Sequence, residues 1–329
     1  MEREKRIQWV DYSKAIGIIL VVIAHIISDK NYINIYAYSF HLPLFFILSG
    51  FISKSEEIEN YSYGKVLKKE FKNILVPYYF YTGFIVAIEL AKNILQHDAD
   101  VKSSFIIIGR WIFLVGLKAD WFLPCLFFAK MIFVVCYRNI KNRKMYWLVV
   151  AMLPVLVMTI PSKSFYFRTF IGGFTGSFFV AIGYYLKKKE IKLSAMQFTG
   201  ITLLWILCTY FNGKVSMFLY EYGRNVLLFM INAVLGSVMI MSLSRYIESK
   251  NSNIGVLSWI GRNSLVIMIV HMEIIAILNI ILTKIHFLKV NNAIYDTVLI
   301  IMTLILSFVS VPFMKAIYNR TVKREKENK

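Results

Sequence analysis

Charge is scarce in this chain. Only 17% of residues are Asp, Glu, Lys or Arg, against about a quarter in a soluble globular domain, and 58% are hydrophobic. That balance excludes a water-soluble fold and any count of domains from length. Acidic residues are scarcer than basic ones, 19 against 38. Cysteine is nearly absent: Cys125, Cys136 and Cys208 sit in apolar stretches at no CxxC or metal-ligand spacing. They read as small core residues, and no metal site is expected. No short apolar core with a cleavage pattern opens the chain, so no removable signal peptide is expected. No internal repeat, low-complexity linker or composition break divides it, so residues 1–329 are expected to form a single domain with no fused soluble domain.

What is present is apolar length. A helix needs roughly 20 apolar residues to cross a bilayer, and such runs fall at 10–28, 38–53, 74–92, 121–137, 145–161, 169–186, 197–212, 225–245, 259–282 and 295–317. The expected fold is an all-α integral membrane bundle of about ten transmembrane helices. Residues 104–117 form an extra apolar stretch, read as re-entrant or interfacial. The net charge of +19 would suit a nucleic-acid partner, but basic loops that set topology account for it. With the N-terminus in the cytoplasm, 24 of the 38 basic residues fall on the inner side and 11 on the outer, Lys14, Lys130 and Lys315 lying within spans. A multi-pass protein of the cell membrane with both termini cytoplasmic follows, its basic tail in solvent or against anionic lipid.

Ionisable groups at depth are costly and tend to be functional. In the first span Lys14 and His25 are eleven residues apart, only about 20° short of three full helical turns, so they share a face and lie roughly 16 Å apart along the axis. Asp11 precedes Lys14 by three residues and can pair with it on that face. Interfacial anchoring of Asp11 and Lys14, with His25 as a hydrogen-bonded bundle histidine, explains the pattern equally well. The second span opens FHLPLFFILSGF, placing His41 near the depth of His25. In DWFLPCLFF, Trp121 is either a belt aromatic at the interface or a platform for a sugar ring. In WIGRNSLVIMIVHMEII, Ser264 and His271 nearly share a face, Asn263 adjoins them, and Glu273 points elsewhere and needs a partner of its own. Lys68, Lys69 and Lys72 precede the third span; they either set topology or form a mouth for an anionic ligand.

These motifs together resemble the membrane acyltransferase 3 family. Asp11, Lys14 and His25 match its first-helix signature, FHLPLFFILSGF is similar to its second helix, and WFLPCLFF and IGRNSLVIMIVH resemble the fucose 4-O-acetylase-like branch, all in the expected order. The resemblance implies about ten transmembrane helices. It also implies transfer of an acyl group, usually acetyl, from cytoplasmic acetyl-CoA to a hydroxyl of a carbohydrate, often an extracytoplasmic polysaccharide or a lipid-linked precursor. His25 would be essential and Lys14 important. Basic residues before the third helix would meet the donor; where the family often has arginine, this chain has Lys68, Lys69 and Lys72. The esterase-like domain that many relatives carry after the last helix is not expected here.

On that footing His25 is expected as general base, since the ordinary imidazole pKa of about 6.5 suits the task. His271 is expected to orient the acceptor or donate to the tetrahedral oxyanion, and Lys14, paired with Asp11, to stand on the donor side with Lys68, Lys69 and Lys72. His41, Trp121, Asn263 and Ser264 are the candidate acceptor-binding residues. No bound cofactor is expected, acetyl-CoA being a substrate. The expected partners are acetyl-CoA, a polysaccharide or lipid-linked glycan, and membrane lipid, with no nucleic acid. Direct transfer is preferred because no cysteine or serine sits in a clear nucleophile–base pattern; an acyl-histidine, or a route through Ser49 or Ser264, stays open. A transporter or flippase of lipid-linked sugars is the competing class, although no repeat or paired broken helix supports it. An envelope-assembly sensor or scaffold is a third, and it predicts that changing His25 has no effect.

Overall fold

The structure, a computed structural model, describes residues 7–28, 31–95, 101–159, 167–189, 193–250, 254–284 and 292–327. The named elements are all helical: α1 (Gln8–Ile26), α2 (Tyr32–Tyr38), α3 (His41–Phe51), α4 (Ser55–Asn60), α5 (Tyr63–Glu70), α6 (Val76–Leu95), α7 (Val101–Ile112), α8 (Phe122–Asn139), α9 (Arg143–Met158), α10 (Arg168–Lys187), α11 (Ala195–Asn212), α12 (Val226–Ser249), α13 (Gly255–Leu282) and α14 (Asn292–Glu327). A π-helical turn, Phe71–Leu75, joins α5 to α6, and a 3-10 turn, Ala119–Trp121, leads into α8. Helix starts are marked by capping side chains. Asn142 and Asn225 accept the first amide protons of α9 and α12, and Ser194 and Gln197 form a capping box on α11.

The helices run between two ends of one bundle, here called the Trp9 end and the histidine end. Parallel α1 and α13 meet at Asp11 against Gly261 and again at His25 against His271. Parallel α8 and α10 meet at Phe128 and Ala129 against Gly173, and at Phe133 against Tyr184. Because α8 and α10 run the same way, α9 carries the chain back between them. By the same reasoning α11 connects α10 to α12, which ends where Glu248 accepts from the Trp9 amide at 3.2 Å.

Glycine sets the closest approaches. A Cβ on Gly50 would strike the Val180 carbonyl, and one on Gly183 the Ile47 carbonyl, so α3 and α10 touch backbone to backbone. This is the small-residue packing expected where lipid removes a hydrophobic force between helices.

Among the described residues eight helices are long and apolar enough to cross a membrane, rather than the ten expected. The other two expected spans are helical but fall short in different ways. At 16 residues, α9 reaches only about 24 Å, less than a hydrocarbon core of about 30 Å. The 18 residues of α11 include Gln197, Thr199, Thr202, Thr209 and Asn212, which dilute its apolarity. The extra stretch at 104–117 becomes α7, twelve residues with none buried, too short to cross. Its Arg110 donates to the carbonyls of Gly116 and Leu117 and fixes the turn that leads to Trp121.

Candidate active site

Three histidines converge at one end of the bundle, each anchored in the same way, through Nδ1 to the carbonyl four residues before it. Nδ1 of His25 lies 2.8 Å from the Val21 carbonyl, Nδ1 of His41 2.6 Å from Ala37, and Nδ1 of His271 3.1 Å from Ile267. A carbonyl only accepts, so each ring carries its proton on Nδ1 and its lone pair on Nε2. Nε2 of His271 in turn lies 3.4 Å from Nδ1 of His25, with ring centroids 5.1 Å apart. The His25 N–H is thus shared between the Val21 carbonyl and the His271 lone pair. His25 is half-buried, whereas His271 is fully buried behind it.

Tyr38, at the end of α2, lies between the other two rings: 4.8 Å from His41 and 6.3 Å from His25 by centroid, edge-on to both. Nothing in its spacing marks it out. It is one of 20 tyrosines, and only the break after α2, closed by the Ser39 hydroxyl on Tyr36 at 2.7 Å, turns it inward.

Glu273, two residues beyond His271 and 6% exposed, finds the partner that hydrocarbon demands. Its Oε1 accepts from Nζ of Lys118 at 2.5 Å, and Oε2 lies 3.5 Å from Lys92. Both lysines also reach Glu89 at 3.0 Å. The network ties α6 and the turn before α8 to α13 beside the histidines. Burial works against the Lys118 ammonium, but bonds to Glu273 and Glu89 outweigh it and raise its pKa above the ordinary lysine value. A raised lysine pKa means that this stabilisation is complete below the unfolded-state value and is lost only as pH climbs past it. Lys118→Met strands the buried Glu273 carboxylate and is expected to destabilise the protein by about 1–3 kcal/mol. Lys118→Met/Glu273→Leu, which removes both charges, should recover most of that in thermal unfolding of the solubilised protein.

Trp121 is 7% exposed and packs on Phe218 at 5.2 Å rather than facing outward as a belt residue. It adjoins the Lys118 turn, whose amides at Leu117 and Lys118 donate to Asp120 at 2.8 and 2.7 Å. Asn263 and Ser264 lie elsewhere, about 11 Å along α13 from His271 and near the Asp11–Gly261 contact. Asn263 is buried and donates to the Trp259 carbonyl at 2.6 Å.

The remaining sequence candidates gather at the Trp9 end. Asp11 is buried and Lys14 half-buried on α1. Lys68 and Lys72 are exposed, while Lys69 pairs with Glu57 and lines a cavity of about 130 Å³ with Glu70, Asn73 and Lys130. Lys130, deep in α8, pairs with Glu70 at 2.8 Å; the two lie 60 residues apart in the chain, so the pairing has no local signature. Among the described residues no three His, Cys, Asp or Glu side chains are grouped to hold a metal ion.

Comparison with known proteins bears on the family of the whole chain. A family profile for an acyltransferase domain matches residues 7–311. The nodulation protein NolL of Sinorhizobium fredii is 26% identical over 182 residues, covering 50% of this chain and 47% of that protein. The chain thus spans about half the length of the curated relative it matches. No solved structure matches it.

Proposed function

The chain belongs to the acyltransferase 3 family, and on that premise we propose that it moves an acetyl group from cytoplasmic acetyl-CoA to a hydroxyl of a cell-surface or lipid-linked carbohydrate, with His25 as general base. It is a multi-pass membrane acyltransferase; the donor, the acceptor and the base are the proposed part. Reading α9 and α11 as further crossings makes ten in all, with both termini in the cytoplasm.

The observation that carries the proposal is the setting of His25. Its N–H is committed to the Val21 carbonyl and to Nε2 of His271, so its lone pair lies on Nε2, on a ring that is only half-buried. The acceptor hydroxyl gives its proton to that nitrogen as its oxygen attacks the thioester carbonyl. The positive charge that develops on the ring strengthens the Nδ1–H bond to His271, which thereby orients the base, the third member of a nucleophile–base–orienter series. Collapse of the tetrahedral intermediate breaks the C–S bond, and the departing thiolate takes the proton back from His25. Lys14 stands on the donor side, with Lys68, Lys69 and Lys72 at the same end drawing in the phosphates of CoA as point charges. The pantetheine arm covers the roughly 16 Å between Lys14 and His25. His41 and Trp121 adjoin the acceptor, whereas Asn263 and Ser264, about 11 Å along α13 towards the Trp9 end, do not.

The test uses purified protein in lipid nanodiscs, acetyl-CoA labelled in the acetyl group, and surface glycan from cells lacking the protein. Label is expected to enter the glycan, one acetyl per modified sugar. Movement of a lipid-linked sugar across the bilayer without thioester consumption would establish the transporter class instead.

A further inference from the structure

A second concavity opens at the histidine end, between α2 and the end of α11. It has a volume of about 460 Å³, with walls that include Tyr32, Tyr36, Thr209, Tyr210, Phe211 and Arg224. Tyr32 and Tyr210 are 69% and 66% exposed. Aromatic rings at a membrane boundary ordinarily belong to an interfacial belt, but these wall a hollow, and a guanidinium stands among them. The wall is also built rather than loose. The Arg224 amide donates to the Asn212 carbonyl at 2.9 Å, the Asn225 amide to the Asn212 side chain at 3.0 Å, and that side chain to the Tyr222 carbonyl at 3.0 Å. Gly223, at φ +75°, lies so close on Asn212 that no Cβ fits.

The hollow and the histidines share α2 as a partition. Tyr32 and Tyr36 face the hollow, while Tyr38 edges His25 and His41. The partition is braced by Trp205, which meets Tyr36 at 5.3 Å and Phe40 at 5.4 Å and donates to Ser39 at 3.1 Å. We infer that this hollow is a subsite for the acceptor's glycan chain, holding a sugar unit other than the one acylated. The inference rests on the carbohydrate reading of the acceptor. Tyrosine and phenylalanine rings suit the apolar C–H faces of a sugar, and the fixed fork of Arg224 supplies donors for its oxygens. Spacing defines the occupant. Tyr32 lies about 9 Å along α2 from Tyr38, and a helix about 10 Å thick separates hollow from histidines. One monosaccharide cannot bridge that distance; several linked units can. The substrate class is therefore an oligosaccharide or polymer rather than a free sugar.

The experiment is a length series, mono- to hexasaccharide, cut from the surface glycan of cells lacking the protein. It is offered with acetyl-CoA to wild type, Tyr210→Ala/Arg224→Gln and, as a variant at an exposed ring, Tyr32→Ala. For wild type, KM should fall roughly tenfold between the monosaccharide and the longer acceptors. In the variants that gain should vanish, with kcat/KM for the monosaccharide unchanged, which also shows that they are folded. A wild type indifferent to length would overturn the subsite, as would variants that lose short and long acceptors alike. If no sugar of any length is acetylated while thioester is consumed on another acceptor, the carbohydrate reading itself falls and the subsite with it.

Discussion

His25→Gln is expected to lower acyl transfer by about 10²- to 10⁴-fold, the range a positioned general base contributes, with little change in thermal unfolding. Glutamine keeps a polar side chain on α1 and can still donate to the Val21 carbonyl, so the helix loses no essential bond. What it lacks is a basic nitrogen beyond that bond. Because the tautomer leaves the lone pair of His25 on Nε2, the loss should appear in kcat, with KM for acetyl-CoA unaltered. His271→Phe is the companion experiment. It fills the buried space but removes the nitrogen that stands 3.4 Å from Nδ1 of His25. A base left free to swing by about 1 Å costs up to about 10²-fold, so this variant should fall between wild type and His25→Gln. Steady-state kinetics on nanodisc-reconstituted protein at matched expression decides the matter. Normal transfer by His25→Gln would remove the general-base role, and equal losses in both variants would make His271 a direct participant in proton transfer rather than a positioning residue.

Much of the candidate site was legible because helix geometry is local arithmetic. Three full turns relate Lys14 to His25, so one face of α1 could be read directly. Likewise, the isolation of Glu273 from the His271 face announced that it needed a second partner. What lay beyond reach were the pairings between helices. No local pattern joins His25 to His271, 246 residues on, or Glu273 to Lys118 and Lys92. Such contacts are set by helix packing, which is decided by where small residues allow backbones to meet. Span counting meets its margin for a related reason. Hydropathy marks stretches by apolar content, and α9 and α11 lie at the margin, where a few residues of length or a few polar groups separate a crossing helix from a short one. Asn263 and Ser264 show the limit of face arithmetic: Ser264 and His271 nearly share a face, yet seven residues of rise put them at different depths.

Gly261→Val is expected to produce the other large loss, at a residue that touches no substrate. A Cβ at Gly261 would strike the Asp11 carbonyl, and a backbone atom cannot rotate away as a side chain can. The two helices must then part at the Trp9 end, and α1 and α13 are held in common register up to the His25–His271 contact. That contact lies ten residues further along α13, about 15 Å, and stiff helices carry the displacement there. Overpacking of this kind costs about 1–3 kcal/mol, so the midpoint of thermal unfolding should fall. In the fraction that remains folded, kcat should drop towards the His271→Phe value, about 10²-fold at a shift near 1 Å. Gly261→Ala should give the same signs at smaller size. Gly200→Ala on α11 is the control: nothing lies within 4 Å of a Cβ there, and alanine in an exposed helix should stabilise by up to about 1 kcal/mol. If Gly261→Val unfolds more easily yet turns over at the wild-type rate, the helix pair does not transmit register and the histidine contact is set locally, by the Glu273–Lys118 network instead.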